Sequence, residues 1–430
     1  MSRKTSALQV RDFRMWFAAT FGMSFALQMI EVIIGWSVYS HHRSAIDLGW
    51  IGLAEFIPLF VLALPAGHLA DRFPRRYVLA AATTLGVGVA LALAAVTAAH
   101  VHATLPYFAL ALGAGTTMAI GTPATRAMGP TLVPRELIPN AMTLRSFAGQ
   151  GAAVIGPAVG GLVYGASATA VYLIAAAGLA FATVAALSIG PGIAAEAAAV
   201  AAAAARRQAA DVRSVLEGLV FLRHTPIVLG AILLDLFAVL FGGAVALLPI
   251  FAAHYLRVGA TGLGVLRAGP AAGALLGAAF LIRRPIMRHA GRLLLSVVAG
   301  FGASMIVFGL SRNFELSLVA LLVSGFLDMF SMNIRSTTSA LATPDGVRGR
   351  VTAVETVFIS ASNQLGAFES GLAASLVGTI PAVVGGGCMT IAIALSWWRL
   401  FPALGGVDQM NELEPVIPAA LALTVANGAN

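Results

Sequence analysis

Gly67-His68-Leu69-Ala70-Asp71-Arg72-Phe73-Pro74-Arg75-Arg76 is the stretch on which the reading of this chain turns. It lies between two apolar runs, each long enough to cross a bilayer, and it places one acid and three arginines within ten residues. Charges at the centre of a membrane cost about 2.5–3.5 kcal/mol each on insertion scales. The stretch therefore reads as a tight cytoplasmic turn joining two transmembrane helices, its arginines acting as topology signals.

Composition agrees. Of 430 residues only 10% are charged and 59% are hydrophobic, with a mean hydropathy of +0.90. A soluble chain of this size would lack the polar surface to stay dispersed, so the fold class is an all-α polytopic membrane protein. The net charge of +8 does not point to nucleic acid. The basic residues, all arginine except Lys4, cluster in short gaps between apolar runs, where they face the lipid bilayer's headgroups. The single Cys388 lies in an apolar run, leaving no disulfide framework and no CxxC metal site. The basic N-terminus (Arg3, Lys4, Arg11, Arg14) resembles a signal peptide only superficially, because the apolar run after it is long and no cleavage site follows; it reads as a retained first helix.

A span needs roughly 20 apolar residues. Twelve runs qualify: 13–39, 48–70, 77–98, 105–125, 140–165 and 170–190, then 227–253, 261–282, 293–310, 316–337, 351–377 and 382–398. Gaps after even-numbered spans hold Arg72, Arg75, Arg76, Arg126, Arg135, Arg206, Arg207, Arg213, Arg223, Arg283, Arg284, Arg288, Arg348 and Arg350; gaps after odd-numbered spans hold little beyond Arg43, Arg257 and Arg312. The positive-inside rule then predicts a multi-pass membrane protein with both termini in the cytoplasm. The expected organisation is an N-terminal six-helix bundle (1–190), an Ala-rich cytoplasmic linker (191–225), a C-terminal six-helix bundle (226–402) and a cytoplasmic tail (403–430). The halves echo each other weakly: Leu48-Gly49 and Leu263-Gly264 open spans two and eight, and Arg126 and Arg335 close spans four and ten. Paired six-helix repeats place a substrate site at mid-membrane depth.

Ionisable residues inside spans are functional candidates by default. They are Glu31, Glu55, Arg145, Asp235, Arg267, Asp328 and Glu369, with Glu355 placed only a turn inside span eleven. Spans three, six, nine and twelve carry none in their interiors, as expected of helices facing lipid. Around Glu369 the run Ser360, Ser362, Asn363, Gln364, Gly366, Glu369, Ser370 is polar, with Ser362, Gly366 and Glu369 on one helical face. The loop histidines His41, His42, His100 and His102 lack neighbouring carboxylates or cysteines, and no metal site is expected. No GxxxxGK[ST] and no HExxH is present, so direct use of ATP, a cofactor and an enzymatic activity are not expected.

GHLADRFPRR resembles motif A of the major facilitator superfamily, with Gly67, Asp71, Arg72, Arg75 and Arg76 matching and Pro74 where a glycine is usual. Gly156-Pro157-Ala158-Val159-Gly160-Gly161 resembles the GPxxGG core of the antiporter motif, which marks exporters more than importers. The blocks at 233–252, 262–278, 343–351 and 358–371 are similar to the enterobactin-exporter-like, or transmembrane secretion effector, branch. The resemblance implies twelve helices in two six-helix bundles with alternating access. Spans one, four, seven and ten would line the cavity, gated by five, eight and eleven. It implies a secondary-active exporter of a small organic molecule, a siderophore or an amphipathic drug, working as a proton antiporter and as a monomer. The alternatives are a nutrient importer of the same fold or a non-transporting receptor or assembly protein.

On that reading Glu31, Asp235 and Asp328 are the candidates for the proton or substrate-charge site, and Glu369 with Asn363 for the outward gate. The arginine that many such exporters carry within span four is missing from 107–125. Gly67 is expected to let helices approach closely. Asp71 is expected to act as a switch on the membrane side where span eleven begins, with Arg348 and Arg350 as its gate partners.

Overall fold

The computed structural model describes residues 6–190, 219–284, 286 and 288–408, all helical or connecting, with no strand among them. The predicted spans become α1 (Arg11–His42), α2 (Ala45–Val61, continued as Ala63–Arg72), α3 (Arg75–Ala98), α4 (Thr104–Met128), α5 (Ile138–Tyr164) and α6 (Ala168–Leu187), then α7 (Pro226–Gly242, continued irregularly to Tyr255), α8 (Gly259–Arg283), α9 (Ala290–Leu310), α10 (Phe314–Ala342), α11 (Asp345–Val377) and α12 (Thr379–Leu400). Ten of these are, by length and hydropathy, capable of crossing a membrane. The other two are α2, which is broken, and α11, which carries the polar run. Most of the predicted linker and tail lies outside the described residues.

Two helices are interrupted for reasons written in their prolines. Pro65 has no N–H to offer the carbonyl four residues back, so α2 stops at Val61 and restarts with Pro65 in its new first turn, where a missing donor costs nothing. In α7 the Gly242-Gly243 pair and Pro249 replace the regular helix with a 3-10 turn (Ala244–Leu247), a short helical turn and a π turn (Phe251–Tyr255).

By packing, the chain forms two compact units, one of 1–208 with 245–271, the other of 209–244 with 272–430. In the first, α1 packs on α4, α5 and α6, α3 on α4 and α6, and α2 on α4. In the second, α7 packs on α10, α11 and α12, and α9 on α10 and α12. Each of those pairs is its first-unit counterpart shifted by six helices, which is an internal parallel repeat expressed in packing.

Because lipid is as apolar as the side chains, small residues rather than bulk hydrophobicity bring such helices together. Gly115 of α4 lies directly on the Glu55 backbone of α2, and Gly273 of α8 directly on the Leu322 carbonyl of α10. Each unit also ties a deep tryptophan to a backbone carbonyl of a neighbouring helix. Trp16 Nε1 donates to Thr125 O (3.2 Å) and Trp397 Nε1 to Gly230 O (2.9 Å).

Candidate functional site

The turn that opened the reading is built into the first unit by its arginines. Arg75 Nη1 donates to Ala127 O at 2.9 Å, on the last turn of α4, and Arg76 Nη1 donates to Ile189 O at 2.7 Å, just past the end of α6. Helix C-termini leave carbonyls without partners and carry partial negative charge, so a guanidinium there satisfies both. Arg76 also lies over the Tyr77 ring, 4.6 Å from its centroid. Arg72 is exposed, and Asp71 stands on the last turn of α2. One expectation fails at Gly67: a Cβ built there would meet nothing within 4 Å, so close approach of helices is not its reason. In the second unit Arg348 Nη2 donates to Ala340 O (3.1 Å) and Thr343 O (3.4 Å), closing α10 as Arg75 closes α4; Arg350 is half-buried.

The GPxxGG run is a two-sided seam. Gly156 and Gly160 turn toward α1, where a Cβ on Gly156 would press on Gln28 and the Phe25 carbonyl, and one on Gly160 would touch Met29 and Ile33. Gly161 turns toward α8. A Cβ on it would come within 2.9 Å of Gly264 Cα, and a Cβ on Gly264 within 3.0 Å of Gly161 Cα. The Thr261 hydroxyl donates to Gly161 O at 3.2 Å beside this crossing. Pro157 supplies the contact with its own carbonyl, which faces Gly264.

Most of the intramembrane charges gather into two groups, one in each unit; Arg145 and Glu369 stand outside them. In the first, Glu31 of α1 is ion-paired with Arg267 of α8, whose other nitrogen donates to Val245 O at 3.4 Å. Glu55 of α2, 9% exposed, lies within range of both charges. In the second unit, Asp235 Oδ2 of α7 meets Arg335 Nη1 of α10 at 2.5 Å. Arg335 Nε is held by the Ser331 hydroxyl (3.2 Å) and carbonyl (3.3 Å) one turn back on its own helix. Asp328 and Asp235 line one cavity with Ser331, Phe301 and Leu327. Glu355 of α11 lies within range of Ser339, Arg335 and Asp235.

Three readings of the sequence change here. Arg335 does not close its span: α10 runs on to Ala342, which puts the guanidinium two turns inside. Glu355 is not one turn but three turns into its helix, because α11 begins at Asp345 after Pro344. Part of the polar strip of α11 is a packing seam. Ser362 is fully buried, a Cβ on Gly366 would press on the backbone of Val239 and Leu240, and Ser370 Oγ donates to Gly243 O (3.1 Å), where α7 breaks. Glu369 is half-buried next to Ser370, and Asn363 is exposed with its amide donating to Ile359 O of its own helix (2.8 Å). Neither belongs to either charged group. Among the described residues no three His, Cys, Asp or Glu side chains are placed to hold a metal ion.

The chain resembles solved transporters along almost its whole length. A point mutant of the nucleoside transporter NupG superposes with a TM-score of 0.70 at 13% identity, covering 91% of this chain and 100% of that one. The xylose transporter XylE from E. coli, in an inward-open conformation, superposes with a TM-score of 0.67 at 13% identity, covering 94% and 99%. In sequence, the enterobactin exporter EntS of Shigella boydii is 27% identical over 388 residues, 89% of this chain and 90% of that protein. The profile of the transmembrane secretion effector family matches residues 3–427, and with the fold of those transporters around it the chain belongs to that family of membrane transporters within the major facilitator superfamily.

Proposed function

We propose that this transporter is a secondary-active exporter of a small organic molecule, driven by inward proton flow. The carrying observation is the second unit's charged group. Asp235, Asp328 and Glu355 surround one guanidinium, Arg335, inside the membrane span. Carboxyls in excess of cations in a low-dielectric site cannot all stay ionised, so the group is suited to take up and release protons. Export rather than import is supported by the GPxxGG seam and by the enterobactin exporter among its relatives. A catecholate siderophore or an amphipathic drug is the substrate class, and both termini lie in the cytoplasm.

A panel of siderophores, antibiotics and dyes, assayed for efflux in a deletion strain with and without an uncoupler, tests this reading. Uncoupler-sensitive export of one member supports it. Export insensitive to the uncoupler removes the proton, and accumulation instead of efflux turns the direction round toward a nutrient importer.

A further inference from the structure

We propose that Arg292 and Arg399, together with Trp398, form a binding site for the headgroup of an anionic phospholipid where α9 begins and α12 ends in the second unit. On the orientation proposed above, this end lies in the cytoplasmic leaflet.

α9 and α12 carry no charge inside the span and are brought together by small residues. A Cβ on Gly302 would lie 2.6 Å from Gly387 O, and one on Gly387 would lie 2.6 Å from Gly302 O. Arg292 is in the first turn of α9, and Trp398 and Arg399 are in the last turn of α12. The Arg292 guanidinium lies over the Trp398 ring, 5.8 Å from its centroid and within cation–π range, so the three side chains share one corner.

Two consecutive tryptophans fix which way that corner faces. Trp397 is 6% exposed and donates its indole N–H inward, to Gly230 O. Trp398 is 51% exposed, and its N–H has no partner among the described residues. Leu395 and Leu400 beside it are exposed as well. An exposed tryptophan at a helix end among exposed leucines is placed for the membrane interface, its ring against acyl chains and its N–H among headgroups.

In the first unit, α3 and α6 are the counterparts of α9 and α12, and their corner arginine is used internally. Arg76, the second residue of α3, donates to Ile189 O just past α6. In the second unit the chain itself fills that place. After α12 it turns back and lays Val407 and Asp408 against the start of α9. Gly291 N donates to Val407 O (2.9 Å) and His289 N to the Asp408 carboxylate (3.0 Å), which also lies 3.5 Å from His289 Nε2. The amides at the start of α9 and the acid of the strap are thus engaged with each other. Arg292 and Arg399 are left with no hydrogen-bond or ion-pair partner among the described residues. The helix field does not account for Arg292 either, because a cation in a first turn meets the positive end of the dipole. Two such guanidiniums and an indole N–H, above an apolar face, offer donors to one phosphodiester and contact to the chains below it. Arg283, Arg284 and Arg288, all exposed between α8 and α9, add positive charge at the same end.

The test needs no transported substrate. Full-length protein in detergent is titrated with dioleoylphosphatidylglycerol or with dioleoylphosphatidylcholine, and bound lipid is counted by native mass spectrometry. The parent should hold one phosphatidylglycerol more tightly than any phosphatidylcholine. Arg292→Gln/Arg399→Gln should weaken that lipid about thirtyfold, on the scale of two arginines near a membrane surface. Arg292→Lys/Arg399→Lys keeps both charges and should retain it, which guards against a folding defect. Arg135→Gln/Arg223→Gln removes as much charge from exposed positions outside the site and should leave the lipid bound. Unchanged binding in the first Gln pair, equal loss in the second, or equal retention of phosphatidylcholine overturns the site. Displacement of the lipid by millimolar inorganic phosphate overturns a lipid as its occupant. No readout depends on export, so failure of the efflux panel leaves this result to stand or fall by itself.

Discussion

Asp235 and Arg335 meet at 2.5 Å with side chains 9% and 12% exposed. Removing one partner of a pair so placed strands a charge in low dielectric and costs about 3–5 kcal/mol, whereas removing both is close to neutral. Arg335→Gln is therefore expected to lower the unfolding midpoint in detergent sharply, and the Asp235→Asn/Arg335→Gln double variant to recover most of it. The recovered fold should still not export, since its titratable group is gone. Asp235→Asn alone should insert normally and lose uncoupler-sensitive efflux; wild-type efflux in that variant would take Asp235 out of the mechanism. Sequence counting found Glu31, Asp235 and Asp328 as lone acids inside spans. It did not find their partners, because Arg267 and Arg335 sit far away in the chain.

At the scale of elements, the glycines of the two motifs part company. A Cβ on Gly161 would run into α8, so Gly161→Val forces α5 and α8 apart, a strain of about 1–3 kcal/mol by the measure of overpacked cores. A Cβ on Gly67 meets open space within 4 Å, so Gly67→Ala is expected to fold as well as the parent or better, by up to about 1 kcal/mol from helix propensity. Thermal unfolding of the two variants side by side checks both statements, and a destabilised Gly67→Ala would show that another conformation packs on that glycine. Arg75→Gln removes the partner of the Ala127 carbonyl and should weaken the end of α4, read as faster amide exchange confined to its last turn. The arginines of the turn thus do two jobs that the sequence reading had merged. Arg75 and Arg76 close helices, and of the three only Arg72 is exposed.

Over the whole molecule, the repeat of six helices is clear in packing and faint in sequence. Helix pairs recur with an offset of six because the same crossings satisfy the same backbone geometry, while the side chains that make them have drifted from Gly115 in one unit to Gly273 in the other. Asp71 is kept as the proposed conformational switch of the turn. Asp71→Asn should shift the balance of states in a cysteine cross-linking assay, and an unchanged cross-linking pattern would end that idea. Reporter fusions at both termini should be active only on the cytoplasmic side.

The sequence alone determined that the chain spans a membrane, where its spans lie and which superfamily it resembles, because hydropathy, arginine spacing and the short motifs are local properties of consecutive residues. Only the tertiary structure decided which charges neutralise one another. Arg335 and Glu355 moved from span edges to the charged group of the second unit, the strip at Ser362 and Gly366 became a seam, and Glu55 was set beside Glu31 and Arg267. The physical reason is the same in each case. In a low-dielectric interior the meaning of a charge is set by its partner in space, and that partner is brought by a helix crossing that no window along the chain contains.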